Sequence, residues 1–183
     1  MALKLITFTL ISAVILYISR RPLTVARSHG FYRFFALETI LLLILLNISS
    51  WFVDPFSIPQ VLSWVLLAVS LFLLGQGAYL LIVAGKPSSQ RHDTTLMAFE
   101  KTTILVTSGI YRYIRHPLYG SLLYLAWGTY LKDFTLLSTF LVGIATIFLA
   151  ATARADEAEC VRFFGSAYEE YMTKTKMFIP LLF

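Results

Sequence analysis

The chain has 183 residues, of which 58% are hydrophobic and 14% are charged, with a mean hydropathy of +0.76 and a formal net charge of +5. Soluble domains carry about a quarter charged residues, so this composition excludes an ordinary soluble protein and requires a bilayer to cover the apolar surface. The basic residues stand in short segments between apolar runs, which is typical of membrane loops and argues against binding to nucleic acid. The length favours a single domain.

Five apolar runs predict about five transmembrane helices. A run of about 20 apolar residues crosses a hydrocarbon core of about 30 Å, and the shorter fourth run can include His116 and Pro117 to reach across. Arg20, Arg21 and Pro22 follow the first run without a small-residue cleavage site, which favours a retained helix over a signal peptide. The runs cover residues 5–19, 34–53, 61–84, 118–131 and 134–153.

The loops between these runs alternate in charge. The loops after the first and third runs hold nine lysine or arginine residues and two acidic residues, Asp93 and Glu100, whereas the other two loops hold Asp54 alone and Lys132 with Asp133. The positive-inside rule therefore places the N-terminus outside, and both basic loops and the C-terminal tail in the cytoplasm. The expected location is the endoplasmic reticulum membrane in a eukaryote and the plasma membrane in a prokaryote.

The last two runs predict a helical hairpin, because only Lys132 and Asp133 interrupt the apolar sequence between them. A tight turn on the outer side holds the inner ends of both helices side by side. Polar residues that flank the two inner ends can therefore form one site, although they lie far apart in the sequence.

The tail at 154–183 differs from the rest of the chain because charged residues are frequent in it. Val161, Phe164, Tyr168 and Tyr171 recur at helical spacing, which predicts an amphipathic helix that continues the fifth run into the cytoplasm. Gly165 is a candidate interruption of that helix. Residues 177–183 are apolar again and are expected to fold back onto the membrane face.

Three charged or titratable residues beside the hairpin are candidates for a site. His116 can cap a helix start at the interface, or it can donate at a helix N-terminus where a substrate carboxylate would also bind. Glu157 can be a solvated member of a charge run, or it can hold a cationic ammonium close to the membrane. Arg154 can extend toward lipid headgroups, or it can orient an anionic substrate.

Other candidate patterns are weaker. Tyr111, Tyr113 and Tyr119 can form an interfacial aromatic belt or stack on a flat ring. Gly75 and Gly77 favour close helix packing, since they lack the third glycine and the strand context of a dinucleotide fingerprint. The single cysteine excludes a disulfide framework within one chain. His29 and His92 have no acidic or cysteine partners at ligand spacing, so no metal site is expected.

Two segments carry a family resemblance. The first reads Leu-Val-Thr-Ser-Gly-Ile-Tyr at 105–111 and Arg-His-Pro-Leu-Tyr at 115–119, and the second reads Asp-Glu at 156–157 and Phe-Phe-Gly at 163–165, followed by Tyr168, Tyr171 and Pro180. In this order around a helical hairpin, they resemble the isoprenylcysteine carboxyl methyltransferase family and the wider group that includes membrane phospholipid methyltransferases. The resemblance covers residues 96–180, and the first three runs match only as apolar helices.

The resemblance implies an all-α integral membrane methyltransferase that uses S-adenosylmethionine, leaves S-adenosylhomocysteine as product and has no Rossmann domain. It implies one domain over residues 1–183. Three spans would occupy 1–84, a cytoplasmic cofactor loop 85–117, the hairpin 118–153, and a cytoplasmic tail 154–183 that completes the site. The cofactor would lie at the cytoplasmic membrane face, enclosed by the loop and the tail.

The same resemblance implies roles for individual residues. Arg154 and His116 are the expected catalytic residues, with Arg154 facing the substrate and His116 acting through positioning. Glu157 is expected to bind the ammonium of the cofactor. The adenosine side would contact Thr103, Ile104, Leu105 and Val106, and further cofactor contacts would come from Tyr111, His116, Pro117, Leu118 and Tyr119.

The expected reaction is methyl transfer to the carboxylate of a prenylated cysteine or a similar lipid-tailed acceptor. A carboxylate is already ionised at neutral pH, so the protein needs only to align the reactants and exclude water. The acceptor would enter sideways from the surrounding membrane lipids, and the cofactor from the cytoplasm. Phospholipid N-methylation, which requires loss of a proton, is the alternative. A sterol-reductase relative and a non-enzymatic membrane protein are the alternatives from other classes of protein.

Overall fold

The computed structural model describes residues 2–88 and 96–180. These residues form six α-helices joined by loops and short 3-10 turns, with isolated bridges and no β-strand among them, so the predicted all-α fold is confirmed. Positions 89–95 of the predicted cofactor loop and 181–183 of the tail lie outside the described residues. The helices are α1 Ala2–Ser19, α2 His29–Asn47, α3 Ile58–Val83, α4 Pro117–Tyr130, α5 Leu136–Phe164 and α6 Ser166–Lys174.

Four helices in the described part of the chain are long and apolar enough to cross a membrane. They are α1, α3, α5 and the segment His29–Ser50, which contains α2. The protein is therefore an integral membrane protein, as predicted. Helix α4 has 14 residues, which corresponds to about 21 Å and is shorter than a hydrocarbon core of about 30 Å. A fifth crossing by α4 stays a prediction.

Helix α2 begins at His29, before the predicted start at position 34. The Ser28 hydroxyl accepts the Phe31 N–H at 3.1 Å and caps this end. His29 and Arg33 fit inside the helix because their side chains pair with acidic residues of distant segments. Apolar runs in the sequence end at charged or titratable residues of this kind. The predicted start of the helix therefore lay later in the chain than the observed start.

The helices α4 and α5 form the predicted hairpin, with α3 packed along α4 and α2 packed along α5. A Cβ added at Gly77 would lie 3.2 Å from Pro117, and one added at Gly128 would lie 3.0 Å from Leu67, so both glycines allow close approach of α3 and α4. No atom lies within 4 Å of the corresponding position at Gly75. The buried core includes Ala36, Ile40, Leu43, Tyr119, Ala126, Leu141, Val142, Ala145, Leu149, Ala153, Met177 and Phe178.

The turn between α4 and α5 is fastened to the neighbouring helices by buried polar contacts. Lys132 Nζ donates to Gln60 Oε1 at 2.9 Å and lies 3.4 Å from the centroid of the Trp64 ring. Asn47 Nδ2 donates to the Thr129 carbonyl at 3.0 Å. These contacts hold the hairpin against α2 and α3, so the opposite ends of α4 and α5 lie in a fixed register.

Helix α5 continues past position 153 and ends at Phe164, which confirms the predicted extension of the fifth run. Gly165 interrupts the helix with φ of +60°, a conformation that favours glycine, and α6 follows. Beyond α6, Met177 and Phe178 are 9% and 2% exposed. These two residues pack into the protein core, and the expectation that the segment folds back onto the membrane face stays a prediction. They enter the core because the backbone beside them pairs with the loop before α4.

Candidate functional site

A cleft with a cavity volume of about 90 Å³ lies where the C-terminal ends of α3 and α5 meet the N-terminal end of α4, the loop before α4 and helix α6. Leu105, Val106 and Phe164 contribute to its apolar walls, and Glu100 and Asp156 contribute carboxylates. The cleft therefore combines a surface for a flat apolar group with negative charge.

The loop before α4 and the segment after α6 pair through their backbones. The N–H groups of Arg115 and His116 donate to the carbonyls of Lys176 and Met177 at 2.8 and 3.2 Å. The Lys176 N–H donates to the Tyr113 carbonyl at 3.1 Å. We name this contact the loop–tail pairing. It forms one edge of the cleft and holds His116 against the tail.

Tyr111 joins three parts of the cleft wall. Its hydroxyl lies 3.4 Å from the Gly77 carbonyl of α3, and its own carbonyl accepts the Tyr171 hydroxyl of α6 at 2.6 Å. Burial raises the pKa of the Tyr111 hydroxyl well above its ordinary value, so the group stays neutral and able to donate.

His116 directly precedes α4 and is 4% exposed. Its Nδ1 lies 3.3 Å from Asp156 Oδ2, and its Nε2 lies 3.2 Å from Glu157 Oε1. Burial lowers the pKa of His116, but hydrogen bonds to Asp156 and Glu157 outweigh burial and hold the pKa above its ordinary value of 6.5. The ring thus contacts both carboxylates, one with each nitrogen.

Glu157 is buried and fastens α5 to the loop and the tail. Both Nε and Nη2 of Arg115 lie 2.8 Å from Glu157 Oε1. Arg115 Nη1 also donates to the Met172 carbonyl at 3.3 Å and to the Thr175 carbonyl. A buried carboxylate is tolerated when it is paired, and Arg115 and His116 provide that pairing. Glu157 stands behind the cleft wall, whereas Asp156 lies on it.

The structure brings most of the predicted cofactor residues together. Thr103 and Ile104 are exposed and lie outside the cleft wall, and the Thr103 hydroxyl donates to the Lys86 carbonyl at 2.9 Å. The predicted residues on the wall are Leu105, Val106, Tyr111, His116, Pro117, Leu118 and Tyr119.

Arg154 is exposed and lies in a shallow groove with Glu157 and Met172. Two helical positions correspond to a rotation of about 200°, so Arg154 and Asp156 face different sides of α5. The structure does not bring Arg154 into the cleft. Its role toward a substrate stays a prediction.

Asp156, Cys160, Arg115 and Glu100 are among the wall residues that received no role from the sequence. Asp156 and Cys160 lie one turn apart on the same face of α5, a spacing that could have linked them to one surface. Arg115 belongs to the first motif itself. Glu100 carries no comparable signal, because a single acidic residue in a loop is ordinarily solvated.

Two buried ion pairs connect α2 to the surroundings of the cleft. Arg33 Nη1 lies 2.6 Å from Glu100 Oε1, and His29 Nδ1 lies 2.8 Å from Glu159 Oε2. The backbone N–H of His29 also donates to Glu159 at 3.2 Å. His29 has no acidic partner at nearby sequence positions. Its partner in the structure, Glu159, belongs to α5. Within residues 2–88 and 96–180, no group of three or more His, Cys, Asp or Glu side chains is placed to hold a metal ion.

The described helices and the cleft define an α-helical integral membrane protein with a cleft that holds charged residues at one end of its helix bundle. The chain belongs to the isoprenylcysteine carboxyl methyltransferase family, whose model matches residues 66–161, just over half of the chain. That segment includes α4, the loop before it and most of α5, and so it contains His116 and Glu157.

Two named proteins are similar to this chain. A protein-S-isoprenylcysteine O-methyltransferase of Schizosaccharomyces pombe is 39% identical over 83 residues, which are 45% of this chain and 35% of the relative. A methanethiol S-methyltransferase of Crocosphaera subtropica is 26% identical over 121 residues, which are 66% of this chain and 44% of the relative. The chain thus spans less than half the length of either curated relative. No solved structure matches it significantly.

Proposed function

We propose that the chain is a membrane methyltransferase that uses S-adenosylmethionine to methylate the carboxylate of a prenylated cysteine or a similar lipid-tailed acceptor. The observation that carries this proposal is the cleft, because both family motifs contribute to it. Residues of the first motif line it from the loop and α4, and Asp156 of the second motif lines it from α5.

The cleft offers groups that match S-adenosylmethionine. Leu105, Val106 and Phe164 provide an apolar surface for the adenine ring. Asp156 on the wall and Glu157 behind it provide negative charge for the cationic sulfonium and ammonium. The N-terminus of α4 suits the cofactor's carboxylate, since its first N–H groups lack helical partners. Glu157 remains our candidate for the ammonium, and Asp156 joins it.

When bound, S-adenosylmethionine supplies a methyl group on an electrophilic sulfonium. The side chains of the cleft bind and orient the reactants and exclude water. Both ring nitrogens of His116 face carboxylates, at 3.3 and 3.2 Å, so neither is free to take a proton from an acceptor. This arrangement supports an acceptor that is already ionised, as a carboxylate is at neutral pH.

The acceptor is the part of the proposal with competing candidates. The name of the Schizosaccharomyces pombe relative supports an isoprenylcysteine, and that of the Crocosphaera subtropica relative points to a thiol. A thiol or a phospholipid amine has to lose a proton, which requires a base. We therefore place the lipid-tailed carboxylate first. Arg154, exposed beside Glu157, is our candidate for orienting it from the bilayer side.

The test begins with the purified protein in detergent. Equilibrium binding of S-adenosylmethionine and S-adenosylhomocysteine is measured first, and transfer of a labelled methyl group is then measured with farnesylcysteine, phosphatidylethanolamine and methanethiol. We expect binding of both nucleosides and transfer to farnesylcysteine. Absence of binding by the wild-type chain would overturn the proposed cofactor. Transfer only to one of the other acceptors would overturn the proposed substrate.

Three variants locate the site. His116→Ala and Glu157→Ala are expected to lose nucleoside binding, because each removes a partner from the cluster beside the cleft. Glu169→Ala is the matched control, since Glu169 is an exposed carboxylate on α6. Equal binding by all three variants and the wild type would place the cofactor elsewhere.

A further inference from the structure

Arg33 of α2 is a buried cation that approaches the cleft from outside the family-matched segment. Its side chain is 7% exposed and that of Glu100 is 9% exposed, and Nη1 lies 2.6 Å from Oε1. Removing one partner of such a pair leaves an uncompensated charge, whereas replacing both with apolar groups is often tolerated. Stability alone therefore gives a weak reason for this pair.

Glu100 connects Arg33 to the cleft. Glu100 lies on the cleft wall. Its second oxygen, Oε2, accepts the Met97 N–H at 2.8 Å and closes the short 3-10 turn Ala98–Glu100. Two donors thus set the direction of the carboxylate. Each oxygen of a carboxylate can accept more than one hydrogen bond, so Glu100 can still accept from a ligand hydroxyl or amino group.

A second pair on α2 supports the same geometry. His29 lies one helical turn before Arg33, and the two residues therefore share one face of α2. His29 pairs with Glu159 of α5, which adjoins Cys160 on the cleft wall. Through these two pairs, α2 contacts the loop that carries Glu100 and the part of α5 that carries Asp156 and Cys160. The separation of these two segments is thereby tied to one rigid helix.

We propose that Arg33 is a positioning residue of the nucleoside pocket, which acts by directing the Glu100 carboxylate toward hydroxyl or amino donors of the bound nucleoside. This inference rests on the proposed function, because it assumes a nucleoside cofactor in the cleft. Glu100 touches the ligand, and Arg33 acts through Glu100. The N-terminal helices then contribute to ligand affinity as well as to anchoring.

The experiment compares S-adenosylhomocysteine binding and thermal unfolding of the full chain in detergent. Glu100→Gln and Arg33→Met are expected to raise Kd by about tenfold or more, because a hydrogen bond to a charged group is lost or misdirected. Arg33→Lys keeps the charge and is expected to recover part of the affinity. Arg21→Met is the control, since Arg21 is an exposed arginine of the loop before α2.

A double variant separates positioning from stability. In Arg33→Met with Glu100→Met, both charges are removed, so the unfolding temperature is expected to return toward the wild-type value while Kd stays high. In the transfer assay, KM for the cofactor is expected to rise and KM for farnesylcysteine to stay unchanged. Wild-type affinity in Glu100→Gln or in the double variant would overturn this inference alone. Failure of the wild type to bind would overturn the proposed function and this inference with it.

Discussion

The imidazole of His116 stands between two carboxylates that belong to adjacent residues of α5. Asp156 and Glu157 point to different sides of the helix, and the ring reaches one with each nitrogen. Because Arg115 also contacts Glu157, two neighbouring residues of the loop are fixed by one turn of α5. The charge state of this cluster therefore affects both the shape of the cleft and the stability of the fold.

Stability is expected to depend on pH through His116. Its folded-state pKa lies above its ordinary value of 6.5, so the protonated ring contributes stability that is complete below 6.5 and is lost as pH rises through the folded-state pKa. We expect the unfolding temperature in detergent to fall as pH is raised from about 6 to about 9. His116→Gln should flatten this dependence. The same slope in the variant and the wild type would contradict the assignment.

Glu157 offers a second test at the residue scale. Glu157→Gln removes the charge that Arg115 and His116 require, and loss of one partner of a buried ion pair costs about 3–5 kcal/mol. Chemical unfolding in detergent measures this free energy. The exposed Glu169→Gln should change it by about 0.5 kcal/mol or less. A similar effect of both substitutions would show that burial of Glu157 is unimportant.

At the scale of elements, local pattern predicted the order of the helices and the hairpin, because apolar runs and the Lys132–Asp133 turn are visible in the sequence. The start of α2 was not predictable, since the Arg33 partner is 67 positions away. The short length of α4 follows from Pro117, which begins the helix and ends the loop. Long-range charge pairing therefore sets helix boundaries that differ from those predicted by hydropathy.

Packing of α3 against α4 leads to a prediction about two glycines. A Cβ at Gly128 would lie 3.0 Å from Leu67 Cγ and 3.3 Å from the Ser63 carbonyl oxygen, whereas nothing lies within 4 Å of one at Gly143. Gly128→Ala is expected to destabilise the protein by about 1–3 kcal/mol through overpacking. Gly143→Ala should be neutral or slightly stabilising, since alanine favours helix. Thermal unfolding of both variants checks this, and equal unfolding temperatures would contradict it.

The loop–tail pairing leads to a prediction about Lys176. Lys176→Pro removes the N–H that donates to the Tyr113 carbonyl, so the edge of the cleft should open and nucleoside binding should weaken by about tenfold. Lys176→Ala keeps that N–H and should bind like the wild type. The measurement is the Kd for S-adenosylhomocysteine. Weakening by alanine as well would assign the effect to the side chain instead.

For the whole molecule, charge asymmetry between loops predicts one orientation, with the N-terminus outside and the cleft facing the cytoplasm. The test replaces Cys160 by alanine and places single cysteines at Ser57 and Thr107, which are exposed at opposite ends of the helices. A membrane-impermeant maleimide is expected to label position 57 in intact cells and position 107 only after permeabilisation. The reverse pattern would invert the topology.

The candidate site was predictable to the extent that its residues belong to the two family motifs. His116, Tyr111 and Glu157 stand in those motifs. In the structure His116 contacts Glu157 and lines the cleft together with Tyr111. The contribution of Glu100 and Arg33 was not predictable, because neither lies in a motif and their proximity depends on how α2 packs. The exposure of Arg154 was likewise not predictable, because it depends on which side of α5 faces the cleft.

The loop–tail pairing also bears on how the protein is made. Arg115 and Lys176 are hydrogen-bonded through their backbones, yet Lys176 is synthesised 61 positions after Arg115. At translation rates of about 5–20 residues per second, the tail segment that pairs with His116 is synthesised about 3–12 s after His116 itself. A nascent chain therefore has no complete pocket, and a ligand stabilises only molecules whose translation has passed this point.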